Sequence, residues 1–178
     1  MKILETLNAA CKEQGLAYVI VGGHAVAARG YARTTHDLDL AVPAAQRDQW
    51  RQVFLQMGYK VYHEQSAFMQ FSVPDLGCWP VDLMLLDDVT FAKVRGNADV
   101  IQLGAEKAPV ASVLHLIFMK LHTLKTGPAE RFARDLADIL ELLKLQGLSP
   151  EDSAFRDMCE KYATLEIHER IVQICSKE

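Results

Sequence analysis

Residues 17–42 read AYVIVGGHAVAARGYARTTHDLDLAV, and they decide how the chain folds. Ala17 to Val21 is a short continuous apolar run rich in β-branched residues, the pattern of a buried strand. Gly22-Gly23 interrupts it, and His24 to Arg29 has helical composition up to Gly30. Asp37 to Val42 (DLDLAV) is a second strand, ended by Pro43. A strand, a glycine pair and a helix can cradle an anion. Glycine lets the backbone approach closely, and a helix N-terminus offers free N–H groups. The same glycine pair also reads as an ordinary turn. Asp37 and Asp39 are two apart and so project from one face of their strand. Carboxylates side by side repel without a cation between them, and their oxygens suit Mg2+. A pair of solvated acids at a strand end is the alternative.

Outward from this stretch, Asp82 stands in the run Pro80-Val-Asp-Leu-Met-Leu-Leu86, whose residues 81–86 read as another buried strand. An uncompensated carboxylate is costly there, so Asp82 calls either for a cation shared with the other two acids or for a salt bridge at a strand edge. Three acids on neighbouring strands fit two-metal phosphoryl chemistry. Upstream, residues 3–14 carry apolar side chains at helical spacing, with Gly15 as the stop. Ala44 to Met57 is an amphipathic helix closed by Gly58. Tyr59–His63 and Phe68–Val73 read as a hairpin, and Pro74-Asp75-Leu76-Gly77 as a turn. After Pro109 the pattern is helical: Ser112–Lys125 with Ser112 as N-cap, Pro128–Leu145 stopped by Gly147, and a tail from about 150 to 176. The expectation is an α+β fold: residues 1–108 form a mixed sheet with flanking helices, and 109–178 a helical region packed on it.

Composition narrows the classes. The chain has 178 residues, half of them hydrophobic, enough for a real core. A net charge of −4 and a pI near 5.9 remove a global basic footprint, though a local basic groove remains compatible with it. The four cysteines are far apart in sequence, which argues against structural zinc and against a disulfide framework. The N-terminal stretch lacks an apolar signal core, and no run approaches the ~18 apolar residues of a membrane span. A cytoplasmic protein that does not enter the membrane is expected.

The stretch VGGHAVAARGYARTTHDLDL with the later VDLML resembles the nucleotidyltransferase superfamily of the DNA polymerase β type, most closely the AbiEii/MenT-type bacterial nucleotidyltransferases. The likeness continues into ASVLHLIFMKLHTLK (111–125) and Arg131-Phe-Ala-Arg134-Asp135-Leu-Ala-Asp138, similar to that family's lysine helix and Arg-Asp-x-x-Asp helix. It implies a nucleotidyltransferase-like sheet and an ATP- or other NTP-dependent transfer. Gly22 and Gly23 would bind the triphosphate. Asp37 and Asp39 would ligate Mg2+ or Mn2+, in a two-ion site that Asp82 completes while helping to deprotonate the acceptor. Lys120 would contact the triphosphate, with Asp135 or Asp138 supporting the site. It also implies a toxin–antitoxin setting with a cognate antitoxin as partner. His24 stands where many members of the superfamily have Ser or Thr.

Read from the residues alone, Lys120 is also compatible with a snorkelling surface lysine. Arg131, Arg134, Asp135 and Asp138 fall at i, i+3, i+4 and i+7, one polar stripe that a solvated helix face would also show. Arg29 and Arg33 flank the loop between the glycines and the acids and could neutralise phosphate. His36 reads as a loop residue, and His115 and His122 as structural.

Three functions compete. The first is transfer of a nucleoside monophosphate from an NTP to a hydroxyl of tRNA, a protein or a small molecule. The second is an inactive nucleotide-binding module of the same fold, against which the complete acid set argues. The third is a metal phosphohydrolase, disfavoured because no histidine–aspartate metal pair is evident.

Overall fold

The computed structural model describes residues 2–75 and 77–176; Leu76, and with it the centre of the expected turn at 74–77, lies outside them. Two compact units follow one another, Met1–Ser112 and Val113–Glu178. The compositional break at Pro109 falls inside a strand of the first unit, Glu106–Val110, because an apolar strand end and the helix after it look alike in composition.

The first unit runs α1 (Lys2–Gln14), β1 (Val19–Ile20), α2 (Gly22–Ala28), β2 (Leu38–Pro43), a 3-10 turn at Ala44–Gln46, α3 (Arg47–Gln56), β3 (Lys60–Glu64), β4 (Phe68–Ser72), β5 (Val81–Leu86), α4 (Asp88–Gly96), β6 (Asp99–Leu103) and β7 (Glu106–Val110). The strands form one seven-stranded mixed sheet in the order β3-β4-β5-β2-β1-β7-β6. β2 pairs in parallel with β5 and antiparallel with β1, while β1 pairs in parallel with β7. Apolar side chains on one face of the central strands, Leu38, Leu40, Leu83, Met69 and Phe71, are fully or nearly fully buried. α3 supplies the partner side chains: Trp50 and Phe54 are sealed from solvent, and the Phe54 ring lies 4.8 Å from that of Phe71.

Most expected elements are present, with informative shifts. β1 is only two residues long, and α2 begins at Gly22 rather than His24, so the glycines form the helix's first turn instead of a loop ahead of it. Residues 87–108, unassigned from sequence, and 109–110, expected to open the helical region, hold α4 and the β6–β7 hairpin, turned at Gly104 with φ 69°. Asp87 caps α4 by accepting from the Thr90 amide at 3.0 Å, a standard cap. β6 is half-exposed along its length and so lacks the apolar alternation that marks a strand.

Arg29 departs from its expected role. Its guanidinium donates to the Ala111 carbonyl at 2.9 Å and the Val110 carbonyl at 2.8 Å, and pairs with Asp99 at 2.6 Å. It ties the end of α2 to β6 and to the end of β7, the work of a planar fork and not of a phosphate ligand.

The second unit is helical: α5 (Val113–Thr126), a 3-10 turn at Ala129–Arg131, α6 (Phe132–Gln146), α7 (Ser153–Tyr162) and α8 (Leu165–Cys175). Gly147 ends α6 in the left-handed conformation, φ 64°. The expected single tail is two helices, because Thr164 opens α8 by accepting from the Ile167 amide. No helix among the described residues is long and apolar enough to cross a membrane.

Arg29→Lys keeps the charge but cannot span three acceptors. It is expected to lower unfolding stability by about 1–3 kcal/mol in urea denaturation, whereas Arg95→Lys on the exposed side of α4 should leave the midpoint unchanged.

Candidate active site

Every residue of β2 is buried except Asp39, and on β5 the partner of Asp39 is Asp82. The two strands run parallel with both acids at the second position, so register alone sets one carboxylate beside the other. Asp37, just ahead of β2, joins them. One carboxylate oxygen from each of the three lies within 4.8 Å of the other two, and all three residues are half-buried.

Each acid accepts a hydrogen bond from a different part of the unit. Thr35 Oγ1 donates to Asp37 Oδ1 at 3.1 Å, the Gly23 amide reaches Asp39 Oδ2 at 3.4 Å, and Gln70 Nε2 donates to Asp82 Oδ2 at 2.8 Å. The glycine pair thus has a partner within the chain. Gly22 has φ 60°, and a Cβ there would fall 1.8 Å from Asp39 Oδ2. A Cβ on Gly23 would meet Thr35 Oγ1 at 2.5 Å and Arg33 Nη2 at 2.6 Å. The glycines therefore let α2 begin directly against Asp39 and the 33–35 loop, and this loop lays the Arg33 guanidinium along the first turn of α2.

His24 faces Trp79, ring centroids 4.2 Å apart. Burial pushes its pKa below the usual histidine value, with the Asp37 carboxylate opposing and Arg33 adding to the fall. The ring packs against Trp79 where the resemblance would have a hydroxyl.

Three residues on the β3–β4 side escaped the sequence reading. Gln70 touches Asp82 directly, and His63 Nδ1 lies 3.1 Å from Gln70 Oε1. Tyr62 is 61% exposed; burial raises its phenol pKa, and the charges of Asp82 and Asp37 raise it further, so it stands in the field of both acids. The available signal was the alternation of β4. Met69 and Phe71 point into the core, which puts Gln70 on the same face as Asp82, its register partner.

Lys120, Asp135 and Asp138 form a cluster within the helical unit. Lys120 Nζ is 2.9 Å from Asp135 Oδ1 and 2.5 Å from Asp138 Oδ2, and the three residues are 7%, 1% and 1% exposed. Arg131 approaches Asp135 at 3.8 Å from the surface, while Arg134 is exposed. Neither a snorkelling lysine nor a solvated stripe describes this arrangement. It is a buried ion cluster joining α5 to α6.

No known protein family's profile matches the sequence, and no curated protein matches it. Solved structures do match its fold. The antibiotic-resistance factor ANT(2'')-Ia, in its solution structure, aligns over 95% of this chain and 96% of its own at 19% identity, with a TM-score of 0.61. Its crystal structure with adenylyl-2''-tobramycin gives 0.64 over 82% and 88% at 18% identity. The lincosamide antibiotic adenylyltransferase LnuA, lincomycin-bound, gives 0.57 over 81% and 96% at 16% identity. The fold is that of the nucleotidyltransferases.

Gly22→Ala and Gly104→Ala both place a side chain at positive φ, but only the first collides with a carboxylate, Gly104 facing open space. Gly104→Ala is expected to lose about 1 kcal/mol from backbone strain, and Gly22→Ala more, because its Cβ must also displace Asp39. Gly22→Ala alone should also weaken Mn2+ binding by ~10-fold or more, read by Mn2+ titration with electron paramagnetic resonance. Lys120→Met removes the buried cation that Asp135 and Asp138 share and is expected to cost about 3–5 kcal/mol in urea unfolding.

Proposed function

We propose that the protein is a metal-dependent nucleotidyltransferase that moves a nucleoside monophosphate from an NTP to a hydroxyl of its acceptor and releases pyrophosphate. The observation that carries this reading is the set Asp37, Asp39 and Asp82, converging from two paired strands beside a glycine that no side chain could replace. The donor set suits Mg2+ or Mn2+: three carboxylates of one sign, all hard oxygen ligands, which like-charge repulsion disfavours in the absence of a cation. A bound divalent ion would neutralise the triphosphate and lower the pKa of the attacking hydroxyl.

The remaining work falls to the chain's own side chains. Asp37 and Asp39 would hold the ion, with Asp82 as the third ligand. Asp82 accepts the acceptor's proton as the hydroxyl oxygen bonds to the α-phosphorus, and the bond from that phosphorus to the bridging oxygen breaks, releasing pyrophosphate. Arg33, beside Gly23, supplies positive charge to the phosphates, and the backbone at Gly22 and Gly23 admits them closely. Lys120, Asp135 and Asp138 we assign to the integrity of the helical unit. Retention of all three acids supports the enzyme over an inactive nucleotide-binding module.

A small hydroxylated molecule of the antibiotic kind is the favoured acceptor. The support is the end-to-end likeness of fold to ANT(2'')-Ia and the likeness to LnuA, together with the acidic pI, which disfavours a long polyanion. Incubation with Mg2+ and each α-labelled NTP, against panels of aminoglycosides and lincosamides, total tRNA and cell-extract protein, is expected to label a small molecule. Asp39→Asn should abolish labelling by more than ~100-fold. Label on tRNA or protein would replace the acceptor and point to the toxin setting; no label anywhere, with NTP and metal bound, would leave the binding module.

A further inference from the structure

The sheet carries a continuous polar row across four strands. His63 on β3 is paired with Gln70 on β4, Gln70 with Asp82 on β5, and Asp82 with Asp39 on β2. Paired residues share a face, so all four side chains stand on the side of the sheet where the acids converge. The hydrogen bonds follow the row: His63 Nδ1 to Gln70 Oε1 at 3.1 Å, then Gln70 Nε2 to Asp82 Oδ2 at 2.8 Å.

A glutamine amide can present either its NH2 or its oxygen to a neighbour. Facing Asp82, the NH2 attracts the carboxylate and the oxygen repels it. The Asp82 carboxylate, which can only accept, takes the NH2, and His63 reinforces that choice from the other end. Gln70 Oε1 can only accept, so the bond at 3.1 Å requires a proton on Nδ1, and that donor pins the oxygen end away from Asp82.

The row exists because of an irregularity in β3. Lys60 and Val61 pair with Ser72 and Phe71, which in a regular ladder would bring Tyr62 opposite Gln70. The register shifts between Val61 and His63 instead, leaving Tyr62 as the extra residue and bringing His63 opposite Gln70. Bulges next to functional groups characteristically re-aim a side chain in this way. Two further contacts hold His63 in place. Its ring meets Phe68 edge-on at 5.0 Å, and the next residue, Glu64, is gripped by Arg47 and Arg51 of α3.

We infer that Gln70 is a positioning residue that sets the orientation of the Asp82 carboxylate, and that His63, donating from Nδ1, reinforces the amide orientation in which it does so. This inference deepens the metal-dependent reading and rests on it for its consequence, but the hydrogen-bond relay itself can be tested apart from any activity.

The first arm uses the metal-free protein. The side-chain amide of Gln70, assigned by its loss in Gln70→Leu, is followed by nitrogen-15 NMR. The expected result is a downfield, slowly exchanging NH2 pair that moves toward the free-glutamine position in Asp82→Asn and in His63→Phe, and returns in His63→Asn, whose amide can donate again. A Gln70 amide already at the free-glutamine position in the unsubstituted protein would overturn the inference.

The second arm measures Mn2+ affinity in the presence of ATP. Gln70→Leu is expected to weaken it ~10-fold or more, and His63→Phe in the same direction. The double variant should be no weaker than Gln70→Leu alone, because both changes act through one bond network. Unchanged affinity in Gln70→Leu, or additive losses, would overturn the inference. Thermal melts of each variant separate these effects from misfolding. Absence of Mn2+ binding in the unsubstituted protein would defeat the metal reading instead, while the NMR arm still decides the relay.

Discussion

Repulsion among the carboxylates of Asp37, Asp39 and Asp82 is contained by the backbone that carries them. Asp39 and Asp82 cannot move apart without breaking the parallel ladder between β2 and β5. A slip of one residue in either strand would turn its acid to the opposite face, into the core, and part it from the other. The core face of those strands, with Leu38, Leu40 and Leu83 sealed against solvent, is therefore what fixes the acids on the other face. Hydrophobic burial on one side of the sheet holds charge in place on the other.

Donors to the three acids come from unlike sources: a loop hydroxyl, a helix-start amide and a side chain on a neighbouring strand. Each stabilises a carboxylate without neutralising it, so the cluster remains competent to take a cation. The helical unit handles charge in the opposite way. There Lys120 sits between Asp135 and Asp138 in a buried cluster, where breaking the pair would be far more costly than its net contribution suggests. The chain thus holds one acid cluster half-open and seals another around its own cation.

How much of this was legible in the sequence depended on the range of the interaction. β5 falls at 81–86 as its apolar run predicts, and Asp82 interrupts that run visibly. Asp37 and Asp39 could be placed together from a two-residue period. The glycine pair was found, but its nearest partner, Asp39, lies sixteen residues away across a strand pairing, so the intimate fit of Gly22 could not be read. Arg29 binds carbonyls more than eighty residues off, and nothing local announces that. The β6–β7 hairpin is hard to read because β6 lies at the sheet's edge with no buried residue, and β7, beside β1, ends in a run of three buried residues that does not alternate. The downstream polar residues were found at helical spacing, yet spacing alone does not tell a solvated face from a charged interior; burial of Asp135 and Asp138 does.

The bulge in β3 works like a change of reading frame. Lys60 and Val61 are read against β4 in one frame, His63 and Glu64 in the next, with Tyr62 the inserted character. Deleting Tyr62 would leave a regular ladder of conventional composition. Inserting a residue elsewhere in β3 would conserve every side chain on the strand. The deletion would keep His63 opposite Gln70 but remove the bulge that re-aims it, and the insertion would place another residue there. The strand's length in residues is thus part of the information that the site carries, and a comparison of related chains that aligned residue types while allowing gaps in β3 would miss it.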